Sequence, residues 1–177
     1  WAQTSDGFID GNFSMPIRIS NDISKTCVHK LRAEEDAIMV GKNTALKDDP
    51  KLGCRRYEGK APLRIAIDRN LEIPTYYNFY DNAQPTAIFN AHKDDGVRVK
   101  IDFNEDIIPQ ILDWLYENKI QSLIVEGGKF TLEQFIERGL FDAIQVEIGS
   151  TPCYSGVPAP TFSTENLICE VDKFCDS

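Results

Sequence analysis

Leu123-Ile124-Val125-Glu126-Gly127-Gly128-Lys129-Phe130-Thr131 is the stretch whose reading decides the fold of this 177-residue chain. A short apolar run with no polar alternation is the pattern of a strand covered on both faces. Two glycines then lead into a helix that closes at Gly139 after Arg138. At such a turn the first backbone N–H groups are unpaired and the helix dipole is positive, so an anion is favoured. Glycine leaves room for a phosphate to approach the backbone. The plain alternative is a turn that needs glycine only for its geometry. Thr131 and Gln134 have capping-box spacing, which predicts a regular helix beginning a few residues past the glycines.

The same alternation extends outward in both directions. Ser20 to Ala33 begins with N-cap residues and spaces apolar side chains about four apart, predicting an amphipathic helix. Asp36–Gly41, Leu63–Asp68, Thr86–Asn90, Ser122–Glu126, Ala143–Ile148 and Leu167–Phe174 read as strands, and Lys42–Gly59 as a polar loop. Asp106–Asn118 carries Ile107, Ile108, Ile111, Leu112 and Leu115 on one stripe, a helix whose first turn accepts Pro109. Asp6-Gly7 marks a tight turn after an opening strand. Strands alternating with helices predict an α/β, three-layer fold: a mostly parallel central sheet with helices on both faces, binding ligands at the carboxyl ends of its strands.

Composition excludes several functions. Hydrophobic residues make up 42% and charged residues 27%, which rules out disorder and collagen-like repeats. No apolar run approaches the ~20 residues of a membrane-spanning helix. The net charge of −9 disfavours a general nucleic-acid binder, while leaving room for a local basic pocket. Five scattered cysteines, none spaced C-x-x-C, read as reduced thiols of a cytoplasmic protein. His29 and His92 are the only histidines and neither neighbours a cysteine pair, so no zinc site is expected. The chain opens at Trp1 and stops at Ser177, reading as one domain over 1–177 with both ends cut.

Three groups of polar residues stand where chemistry is expected. Glu126, at the end of a buried strand, is solvated, paired, or used on a ligand hydroxyl or amine. Val40-Gly41-Lys42-Asn43-Thr44, followed by Asp48-Asp49-Pro50 and Arg55-Arg56, leaves the carboxyl end of a strand and reads as a ligand loop or a solvated one. Arg32 closes the first helix, where it favours the dipole or forks onto a phosphate.

Taken in order, these residues resemble the C-terminal reductase domain of riboflavin biosynthesis, the RibD type of the dihydrofolate-reductase-like fold. The resemblance rests on Ser5-Asp6-Gly7, Leu31-Arg32-Ala33 with Asp36-Ala37-Ile38, Val40-Gly41 with Thr44, Asp48-Asp49-Pro50 with Leu52, Pro62-Leu63-Arg64-Ile65 to Asp68, Val125-Glu126-Gly127-Gly128, and Gly139-Leu140 with Asp142. It implies NADPH-dependent reduction of the ribosyl group of 5-amino-6-(5-phosphoribosylamino)uracil to its ribityl form. Arg32, Leu52, Arg55 and Glu126 would contact the phosphorylated pyrimidine. Ala2, Arg18, Thr44, Asp48, Arg69 and Gly127, Gly128, Lys129, Phe130 and Thr131 would hold NADPH, with Arg69 suited to a 2′-phosphate. Asp48 and Glu126 are the implied catalytic acids. The chain departs from the resemblance at Pro16 and Arg18, where relatives carry Ser and Trp. A homodimer, and fusion to a zinc deaminase domain absent from this sequence, are implied by analogy. Alternatives are a related reductase of a diaminopyrimidinone or folate, and a nucleotide-binding module without turnover.

Overall fold

Five short runs rich in apolar residues form one parallel sheet in the computed structural model, which describes residues 1–11, 19–165 and 167–173. The elements in chain order are β1 (Ala2–Gln3), β2 (Phe8–Gly11), α1 (Asp22–Glu34), β3 (Ala37–Gly41), α2 (Lys42–Asp48), β4 (Leu63–Ile67), β5 (Thr86–Asn90), β6 (Arg98–Lys100), α3 (Ile107–Glu117), β7 (Leu123–Gly127), α4 (Lys129–Glu137), β8 (Glu147–Ile148) and β9 (Gly156–Pro158). The central sheet runs β6-β5-β4-β3-β7, with every neighbouring pair parallel. Beside it lie a parallel β1–β8 pair and an antiparallel β2–β9 pair. Among the described residues no helix is long and apolar enough to cross a membrane.

Alternate strand residues feed two separate cores, as period-2 geometry requires. Ala37, Met39, Ile65 and Phe89 pack with Ile108, Ile111 and Leu115 of α3 and Phe135 of α4. Ile38, Val40, Ala66 and Ile88 face the other way, onto Ala45 and Leu46 of α2, Leu52, Ile73 and Phe79. Ile108, Ile111 and Leu115 are 1%, 0% and 4% exposed, so each contributes about 2 kcal/mol of burial. Asn21 and Asp106 cap α1 and α3 by accepting from Ser24 N and Ile108 N.

Sheet order places the site. From β3 the chain lays down β4, β5 and β6 to one side, then returns to set β7 on the other. The helices that leave β3 and β7, α2 and α4, therefore cover opposite faces, and a crevice opens between the carboxyl ends of these two strands. Open α/β sheets bind ligands at such a switch point.

Several sequence expectations need correction. Residues 42–59 are not all loop: Lys42–Asp48 is helical, because Ala45 and Leu46 bury against the sheet and reward the turn. The strand expected over Ala143–Ile148 shrinks to Glu147–Ile148, since its partner β1 is only two residues long. No strand forms over 167–173, where Ile168 and Val171 are 94% and 77% exposed with no ladder to join; Phe174 lies outside the described residues. Helix α4 begins at Lys129, directly after Gly128 as N-cap, rather than farther on. Thr131 sits inside its first turn and is buried. Gly139 does end the helix, at φ 64°.

Candidate active site

Gly41 and Thr131 come from different strand–helix turns and occupy the same space. A Cβ on Gly41 would lie 2.5 Å from Thr131 Oγ1, and one on Gly128 would lie 3.3 Å from Thr44 Oγ1. Gly41 and Gly128 have φ of −78° and −71°, so close approach rather than a left-handed backbone favours glycine, strongly at Gly41 and mildly at Gly128. Two glycine turns thus interlock with two threonines at the switch point. Gly128 caps α4 without a side-chain hydrogen bond. The N–H groups of the first α4 turn have no partner within the helix, an arrangement that favours an anion.

Glu126 gets its position from a register irregularity. Met39 pairs with Val125, but Val40 pairs with Gly127, leaving Glu126 as the additional residue. Its carboxylate meets the guanidinium of Arg32: Nε donates to Oε1 at 2.8 Å and Nη2 to Oε2 at 2.6 Å. Arg32 Nη1 also donates to the Gly53 carbonyl at 3.3 Å, anchoring the loop that carries Arg55. Arg56 pairs with Asp22 at 3.1 Å, whereas Arg55 has no acidic partner among the described residues.

Thr44 and Asp48 are four residues apart on α2 and share one face, so Asp48 stands one turn beyond the glycine interlock. Desolvation raises its carboxyl above the ordinary value; Lys47 opposes this and Asp10 adds to it. Lys47 pairs with Asp10 of β2.

One open cleft is lined by most of the residues singled out from sequence: Ala2, Arg32, Thr44, Asp48, Arg55, Arg69, and Glu126 through Thr131. One described residue is not brought there. Leu52 is 3% exposed in the core with Ile38 and Val40, at φ 54°. Arg18 and Pro16 lie outside the described residues. Arg69 packs its guanidinium 5.7 Å from the centroid of the Phe103 ring. His29 lines the cleft as well and was not singled out. It is 5% exposed with Nδ1 unpartnered, and burial followed by Arg32, Arg55 and Arg56 lowers its pKa. A lone histidine on a helix carries no sequence signal for this.

Comparison with known proteins places the chain among riboflavin-biosynthesis reductases in sequence and fold. The model of the RibD C-terminal domain matches residues 1–160. The riboflavin biosynthesis protein RibD of Aquifex aeolicus is 37% identical over 160 residues, covering 84% of this chain and 44% of that protein. A 2,5-diamino-6-ribosylamino-4(3H)-pyrimidinone 5′-phosphate reductase of Archaeoglobus fulgidus is 29% identical, covering 98% of this chain and 85% of its own length. Among solved structures, a diaminohydroxyphosphoribosylaminopyrimidine deaminase/5-amino-6-(5-phosphoribosylamino)uracil reductase of Thermotoga maritima superimposes with a TM-score of 0.81 at 26% identity. That match covers 100% of this chain and 52% of the Thermotoga chain. The chain spans less than half the length of the RibD proteins of Aquifex aeolicus and Bacillus amyloliquefaciens, at 44% and 38%.

Proposed function

The chain belongs to the RibD C-terminal domain family, and on that premise we propose that residues 1–177 form one reductase unit. It reduces the ribosyl group of 5-amino-6-(5-phosphoribosylamino)uracil to the ribityl form with NADPH. The observation that carries this is the meeting, in one cleft, of the interlocked glycine turns with the Arg32–Glu126 pair and Arg55.

The residues present fit a dinucleotide. Gly128 and the first turn of α4 offer backbone donors to a diphosphate, and the space a Cβ would fill on either turn is held by a threonine hydroxyl. When bound, the reduced nicotinamide supplies a hydride to C1′ of the ring-opened sugar, and one proton taken up by the substrate completes the balance. Every other task falls to the chain. Arg55 holds the substrate phosphate, since its forked donor has no acidic partner to displace among the described residues. The Arg32 fork fixes the Glu126 carboxylate, which accepts from substrate hydroxyl or amino groups and orients C1′. Asp48 is the acid best suited to carry the proton, because desolvation keeps it protonated to higher pH than an ordinary carboxyl. Arg69, on the turn after β4, faces the adenosine ribose and its 2′-phosphate.

The diaminopyrimidinone named for the Archaeoglobus relative is a second substrate to weigh, since this chain matches 85% of that protein's length. It shares the phosphoribosyl group and so the same Arg55 and Glu126 contacts. Purified protein is mixed with NADPH and each substrate in turn, and loss of nicotinamide absorbance is followed. Turnover of the uracil compound at the higher kcat/KM supports the assignment. Preference for the diaminopyrimidinone reassigns the substrate, and no turnover with either overturns the reductase reading.

A further inference from the structure

Lys42 is the first residue of α2, where a cation opposes the helix dipole, so local helix stability does not explain it. Its Nζ instead reaches across to Glu72 Oε1 at 2.8 Å, and the same Glu72 oxygen accepts from Asn70 Nδ2 at 3.2 Å. The two side chains are 34% and 43% exposed. Exposed pairs of this kind contribute little to folding.

The placement is more informative than the pair itself. Val40 is level with Gly127 and Gly41 is level with Ile67 in the sheet register, so Lys42 stands between the Gly127–Gly128 turn and the Arg69–Ile73 turn. Those turns are two strand spacings apart, about 10 Å. Within a dinucleotide the adenosine ribose is bonded to the diphosphate through its 5′-oxygen, so a cation standing between the two turns is within side-chain reach of both groups. Lys42 and Arg69 both line the cleft, and Glu72 is tied to it through its hydrogen bond from Lys42.

We propose that Lys42 and Glu72 together determine which dinucleotide the site prefers, Lys42 as a second cation for a 2′-phosphate and Glu72 as the opposing charge that moderates the preference. This rests on the dinucleotide reading above. A 2′-phosphate draws Lys42 from Glu72 and is repelled by the carboxylate left behind. A free 2′-hydroxyl leaves the pair intact and donates to Glu72. Hydrogen bonds from Lys42 and then Asn70 keep the Glu72 carboxyl below its ordinary range, so the opposing charge is present at neutral pH.

The two partners of one ion pair should then act with opposite sign. NADPH and NADH dissociation constants are measured by nucleotide fluorescence for wild type, Lys42→Met, Lys42→Arg and Glu72→Gln. Lys42→Met lowers the NADPH preference about 5–10-fold, Lys42→Arg retains it, and Glu72→Gln raises it by a few fold. A merely structural pair lowers the melting temperature alike in Lys42→Met and Glu72→Gln and leaves the affinity ratio unmoved, which overturns the proposal. Wild-type protein that binds neither dinucleotide overturns the reductase reading and this inference with it.

Discussion

Arg32 and Glu126 stand 94 positions apart in the chain, yet their side chains meet end to end through two parallel hydrogen bonds of 2.8 and 2.6 Å. Either residue alone has an ordinary explanation, a helix C-terminal cation and a strand-end acid. Together they tie α1 to the bulge of β7 and, through the Gly53 carbonyl, to the loop bearing Arg55.

Because the pair is only 14% and 25% exposed, removing one partner leaves the other poorly solvated. Arg32→Met is expected to cost about 2 kcal/mol of stability, and Arg32→Met with Glu126→Gln less than the sum of the two single changes. Urea unfolding of the four proteins checks this, and additive losses would show that the two side chains do not interact. Glu126→Gln alone should retain the fold and lower kcat.

Gly41→Ala is expected to destabilise the protein by about 1–3 kcal/mol, since its Cβ would lie 2.5 Å from the buried Thr131 hydroxyl. Thr131→Ala in the same chain should restore part of the loss. A Gly41→Ala protein as stable as wild type contradicts the interlock.

Asp48 links catalysis to pH. Its carboxyl is raised above 3.8 by desolvation, so it contributes stability when protonated and loses that contribution as pH rises through its folded value. Asp48→Asn should therefore melt at a higher temperature than wild type at pH 7, with the gain shrinking toward pH 3, while kcat falls. Calorimetry across that range tests the sign. A gain independent of pH would mean that charge is not the cause.

Asp6 behaves in the opposite sense. The Thr4 hydroxyl, with the Cys153 and Tyr154 backbone N–H groups, lowers its carboxyl from 3.8 to about 2. The stability it contributes is complete above the unfolded value and is lost as pH falls toward about 2. Asp6→Asn should melt lower than wild type at neutral pH and converge with it between about pH 4 and pH 2. Curves that stay parallel throughout would assign the effect to packing.

Arg55→Ala should raise KM for the phosphorylated substrate at least tenfold while leaving NADPH affinity within about twofold. Matching losses in both would place Arg55 on the cofactor instead.

What the sequence determined by itself is whatever depends on neighbours within a few residues. The apolar runs Ala37–Val40, Ile65–Ile67 and Ala87–Phe89 announce buried strands, and the Ile107–Leu115 stripe announces α3 with Asp106 before it. Gly127-Gly128 announces a strand-to-helix turn. Short elements that owe their existence to a distant partner were not legible. Helix α2 forms because Ala45 and Leu46 find the sheet, while residues 143–146 stay irregular because β1 offers only two residues for pairing. The tertiary structure alone decided what the polar groups do. That Gly41 is glycine because Thr131 fills its side-chain space, that Arg32 grips Glu126, and that Leu52 turns into the core are all outcomes of strand order. Placing β7 beside β3 after the sheet has grown the other way brings remote segments within a few ångströms. A polar side chain removed from water takes whichever partner that topology brings within reach, and no local pattern encodes it.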